Sequence, residues 1–223
     1  WIYIYVKYDR EYKVNFNHKY YREFTGDYNV EVVDYLMTKN ISTKAMNASL
    51  LNLIYKKNVD FQEMNDKKKD TLLILKNRDN CNDTENKLLD LLFETIGKEG
   101  KVSLNEITEF SSNYETAEEF MRGYEDWKAS ATRDAQKENF FESRMKIRGL
   151  AACYAILGFV LIVAMLVVKF VGVVSFIIGP CLALFIIYIC FFKKWTRKGR
   201  EHYLKWNAFK EFLLEFGSFK EKE

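Results

Sequence analysis

Proline occurs once in 223 residues, histidine twice and cysteine four times. The histidines, His18 and His202, stand far apart with no cysteine beside them, and no CxxC or Cys/His spacing exists. Zinc, haem and dithiol redox chemistry therefore have no ligand set, and no metal or cofactor is expected. A Gly-rich phosphate loop and a Ser or Cys nucleophile motif are also lacking. Only carboxylates such as Glu23, beside Arg22, remain as catalytic candidates; a surface ion pair explains them as well, so the chain is read as not an enzyme. The last thing lacking is charge in one long stretch. Residues 150–192 contain Lys169 and no other charged side chain, which excludes a wholly soluble protein, a disordered chain and a collagen.

A run of about 20 apolar residues spans a bilayer, so this block has the length of two crossings. Lys169 divides it into spans at about 150–168 and 171–192, because a lysine at mid-bilayer is costly and belongs at a turn. Pro180 interrupts the second span and reads as a packing kink, common in membrane helices. Arg144, Lys146 and Arg148 precede the first span; Lys193, Lys194, Arg197, Lys198 and Arg200 follow the second. Basic flanks on both sides predict that both ends are cytoplasmic, with the Lys169 turn outside. Residues 144–195 form the expected hairpin. Residues 1–16 begin with the apolar Trp1-Ile-Tyr-Ile-Tyr-Val6 and then turn basic, which reads as the end of a preceding membrane span. Residues 7–149 and 193–223 are accordingly expected in the cytoplasm of a multi-pass membrane protein.

Residues 17–143 have helical periodicity. Val30, Val33, Leu36 and Met37 make one amphipathic face, and Met46, Leu50, Leu51 and Ile54 a second, after a Ser42 cap. Val59 and Phe61 alternate before a charged turn, and the β-prone run 71–75 follows. Helices and then a hairpin with a charged tip is the order of a winged helix. Asn82 with Glu85, and Ser103 with Glu106, have the spacing of capping boxes. A long helix is expected from about 115 to 142, carrying Phe120, Tyr124, Trp127, Ala131 and Ala135. The fold class is thus mainly α: a winged-helix-like cytoplasmic domain plus a two-helix transmembrane hairpin.

A winged helix raises DNA binding through Lys44, Lys56, Lys57 and the tip lysines 67–69. Residues 1–143 carry 21 basic against 26 acidic side chains, and no arginine lies between residues 29 and 77, so nucleic acid is an unfavoured partner. The tail, 196–223, is an amphipathic helix. Trp195, Tyr203, Trp206, Phe209, Phe212 and Leu213 are its candidate interface, either in the membrane surface or against the soluble body.

Three segments carry a resemblance. Tyr20-Tyr-Arg-Glu-Phe-Thr-Gly-Asp-Tyr28 with Val32-Val-Asp-Tyr-Leu-Met37, Ala48-Ser-Leu-Leu-Asn-Leu-Ile-Tyr-Lys-Lys57, and Gly199-Arg-Glu-His-Tyr-Leu-Lys-Trp-Asn-Ala-Phe-Lys-Glu-Phe-Leu213 resemble a bacterial predicted-membrane-protein family, domain of unknown function 2207. Thr25 departs from the family pattern, which often has proline there. The resemblance implies a longer protein with an N-terminal extracellular β-rich domain, and it brings no activity or catalytic residue. The expected function is a scaffold, interaction or signal-coupling module that works on the lipid bilayer and with other membrane or cytoplasmic proteins. The alternative is a membrane-tethered DNA-binding regulator.

Overall fold

The computed structural model describes residues 10–64, 70–143, 149, 153, 156–160, 184, 187 and 193–220. The chain divides into two compact units, one of residues 1–14 and 141–200, the other of residues 15–140 and 201–223.

The larger unit opens with α1 (Val30–Thr38) and α2 (Thr43–Tyr55), followed by a hairpin of β1 (Val59–Met64) and β2 (Asp70–Leu75). Next come α3 (Asp83–Asp90), a π-helical turn (Leu91–Ile96), β3 (Lys101–Ser103), α4 (Leu104–Ser112) and α5 (Ala117–Lys137). α6 (Arg197–Lys220) enters this unit at Glu201. The sheet is antiparallel in the order β1-β2-β3, with Val59 opposite Leu75 and Leu73 opposite Val102. Both capping boxes form: Asn82 accepts the Glu85 amide and Ser103 that of Glu106, while each glutamate accepts the amide of its cap in return. These bonds satisfy donors that a helix start leaves open.

The core gathers Leu36 of α1, Leu53 of α2, Leu88 and Leu89 of α3, Val102 of β3 and Trp127 of α5, all fully buried. α2 reaches this core with a face other than the one expected, and of the expected α1 face only Leu36 is buried. α1 buries Glu31, Val32, Tyr35 and Leu36, and α2 buries Ala45, Ser49 and Leu53. The small residues Ala45 and Ser49 let the helices approach closely, so the larger Val33, Met37, Met46 and Leu50 are left half-exposed. α5 runs Ala117–Lys137, shorter than the expected 115–142, and of the expected face Tyr124, Trp127, Ala131 and Ala135 are buried while Phe120 is half-exposed.

The fold expectation needs a correction. Among the described residues no helix is long and apolar enough to cross a membrane. The longest, α6, has 24 residues but carries Arg197, Lys198, Arg200, Glu201, Lys205, Lys210, Glu211 and Glu215 along its length. The two-helix transmembrane hairpin is therefore not supported, and the expected spans at 150–168 and 171–192 lie almost wholly outside the described residues. The mainly helical class and the expected hairpin are found, with β3 completing a three-stranded antiparallel sheet; a winged helix is not shown by these elements.

The smaller unit is described around residues 10–14, 141–143 and 193–200. Phe141 and Trp195 form a β-bridge with their rings stacked at 6.3 Å, and the Glu142 amide donates to the Lys194 carbonyl. The Tyr12 hydroxyl donates to Glu142 Oε1 at 2.9 Å, and Arg200 pairs with Glu11 at 2.7 Å.

Candidate interaction groove

Val33 and Met37, which α1 leaves outside the core, face an open groove of about 1000 Å³ in the larger unit, whereas Met46 and Leu50 of α2 do not line it. Val30, Val33 and Met37 of α1, with Ala45, Ala48 and Tyr55 of α2, form its walls, and Phe24, Tyr28 and Trp206 of α6 close one side. Asp27, Asp34 and Lys44 supply its charge. Gly26 makes the closing side possible: its φ of +81° is a left-handed conformation, and a Cβ there would run into the Tyr28 ring. The turn so formed presents Phe24, three-quarters exposed, against Trp206 and Phe209 at ring distances of 5.9 and 5.2 Å. Asp34 also ties the two wall helices together, accepting the Ser42 amide at 2.7 Å.

Under the groove floor lies a buried polar cluster. Lys56 Nζ meets Glu85 Oε1 at 2.6 Å, and Asn52, which lines the groove, donates to the same oxygen at 3.3 Å. Ser49 Oγ lies 2.5 Å from Glu31 Oε1 and 2.9 Å from the Ala45 carbonyl. A hydroxyl has one proton to donate. Ser49 therefore shares that one proton between Glu31 Oε1 and the Ala45 carbonyl. Burial raises the Glu31 pKa, against the lowering effect of the Ser49 hydrogen bond, and the Glu85 charge pushes the same way as burial. Glu31 is 3% exposed, so this carboxyl stabilises α1 on α2 when neutral.

A second hydroxyl network joins α3 to α5. Thr84 donates to Asp134 at 2.8 Å and Ser130 to Asp83 at 2.7 Å, the hydroxyls themselves being 3.0 Å apart. The Ser130 hydrogen bond and nearby Lys87 hold the Asp83 carboxyl below its ordinary range. No group of three or more His, Cys, Asp or Glu side chains able to hold a metal occurs among the described residues.

The sequence candidates scatter. Arg144, Lys146 and Arg148 lie outside the described residues. In the smaller unit Lys194 is buried, with its ammonium 4.5 Å from the Tyr12 ring centre; Lys193 lies over Phe141 and Arg200 over Trp195. Arg197 and Lys198 are exposed at the start of α6. Of the tail candidates, Trp195 belongs to the smaller unit. Tyr203 is half-buried; Trp206 donates through Nε1 to the Thr25 carbonyl at 3.2 Å, and Phe209 packs on Phe24. Phe212 lies under Arg22, and Leu213 is exposed. For DNA contact, Lys56 is paired with Glu85, Lys44 sits on the groove with Asp34, Lys57 is exposed, and lysines 67–69 lie outside the described residues. Glu23 accepts from the Tyr21 hydroxyl at 3.4 Å. Sequence reasoning missed the groove and the Glu31–Ser49 and Glu85–Lys56 contacts. A glutamate at position 31, between Val30 and Val32, was the available signal.

Comparisons with curated proteins and with solved structures give no match. A family model does match, over residues 17–223, and it takes in the groove, the buried cluster and the tail helix. On that match the chain belongs to the predicted membrane protein family DUF2207, as its C-terminal domain.

Proposed function

We propose that this chain is a non-catalytic interaction part of a membrane protein, a scaffold or signal-coupling module that receives a protein helix in the α1–α2 groove. One observation carries the reading: Val30, Val33 and Met37 of α1 and Tyr55 of α2 are turned out of the core and line an open groove. An amphipathic helix laid in an apolar groove is a recurring recognition mode, with anchors spaced by one turn. Tyr55, 86% exposed on the groove wall, and Phe24 on the opposite side are aromatic anchors of the kind enriched at interfaces. The test places a benzophenone side chain at Tyr55 of the full chain in native membranes. A protein adduct on irradiation is expected; adducts confined to lipid, or none at all, would overturn the reading.

A further inference from the structure

The geometry points to a second copy of this chain as the groove's occupant, docked through the distal half of α6; this rests on the reading of the groove as a helix-binding site. Trp206, Phe209, Leu213 and Phe216 recur at steps of three, four and three residues, the spacing of a helix–helix seam. The first half of that seam is covered within the chain, Trp206 and Phe209 packing on Phe24. The second half is not: Leu213 and Phe216 are more than half exposed, as is Leu214 beside them.

Trp206 also lines the groove, and Leu213 follows it by two turns on the same helical face, about 10 Å along the axis. Groove and exposed seam are thus neighbours on one surface. A two-fold axis across α6 between them sets each seam into the other copy's groove, an isologous arrangement that closes at two chains. The charges agree with this pairing. Lys210, exposed beside the seam, meets the groove carboxylates Asp27 and Asp34 of the other copy.

The experiment uses the full chain in detergent micelles, with a benzophenone side chain at Leu213 and an equal mixture of 15N-labelled and unlabelled protein. Irradiation is expected to give adducts joining a labelled to an unlabelled chain, mapping to groove residues such as Val33, Met37 or Ala48. Leu213→Asp, at an exposed position, is expected to convert dimer to monomer by sedimentation equilibrium, with an unchanged far-ultraviolet circular dichroism spectrum. A chain that is monomeric at every concentration, adducts with detergent only, or interchain adducts away from the groove each overturn the proposal. If the Tyr55 probe in native membranes then captures a different protein, the second copy is refuted and the interaction reading stands. If it captures only lipid, both fall.

Discussion

At the scale of single residues, Glu31 is a carboxyl buried in a helix interface, with its pKa raised by that burial. A carboxyl in an apolar helix interface is costly when charged and acceptable when neutral and hydrogen-bonded. Its raised pKa means that the folded chain holds this proton more tightly than the unfolded chain does. The linkage follows: the stabilisation is complete below the ordinary carboxylate pKa and is lost as pH rises through the raised folded value. Lys56 and Glu85 are the other charges bearing on Glu31, and they act in opposite directions. Glu31→Gln keeps the shape and the Ser49 partner but cannot ionise. Relative to the parent it should gain stability between pH 5 and pH 8, on the order of 1 kcal/mol, or about 2–4 °C in Tm for a chain of this size. Thermal unfolding of both proteins at the two pH values measures this, and the titrations of Asp83 and Asp134 cancel in the difference. A difference independent of pH would sink the assignment.

At the scale of elements, the joints are more informative than the helices. Arg78 clamps one joint, its two terminal nitrogens each 2.6 Å from a carboxylate oxygen, Asp90 at the end of α3 and Glu94 within the π-helical turn. Gly97 ends that turn where the chain doubles back into β3; a Cβ there would collide with the carbonyl oxygens of Lys101 and Leu92. Gly97→Ala should therefore cost about 1–3 kcal/mol by overpacking, seen as a lower urea midpoint. Gly217→Ala, where a Cβ meets nothing within 4 Å, is the control and should be neutral or slightly stabilising. The α3–α5 joint rests on hydroxyls. Ser130→Ala removes the hydroxyl donor to the exposed Asp83 and should lower stability at neutral pH. Its effect should shrink at acid pH, because a carboxyl with a lowered folded pKa loses its stabilising contribution as pH falls through that value. Unfolding Ser130→Ala beside the parent at pH 3 and pH 7 checks the sign.

At the scale of the whole molecule, much of the larger unit was legible beforehand. The capping boxes at Asn82/Glu85 and Ser103/Glu106 were readable because a cap and its partner lie three residues apart, and local bonds need only local sequence. The long α5 helix was readable for the same reason, its buried stripe repeating every turn. β3 was not: a three-residue strand has too short a pattern, and only pairing with β2 defines it. The attachment of the tail was open as well, between membrane surface and soluble body. In the larger unit Trp206 spans 181 residues of sequence to reach Thr25. Trp206→Ala should raise amide exchange in residues 20–28 and 205–213 together while Leu88 and Leu89 stay protected. Its cost should be below the ~3–5 kcal/mol of a fully buried tryptophan. Faster exchange in one of the two segments alone would show that they do not hold each other.

Within the larger unit the sequence by itself determined which segments are helical, where α3 and α4 begin and that a hairpin follows α2, and it showed which family the chain resembles. These rest on interactions spanning at most a few residues, whose spacing is written in the chain. Only the tertiary structure decided which face of α1 and α2 is core. Both helices are apolar on more than one side, and periodicity cannot rank two apolar faces. Close approach decides, favouring the face with Ala45 and Ser49 and leaving Val33, Met37 and Tyr55 to the groove. The same packing makes Glu31 a buried acid, because burial depends on what lies opposite a side chain.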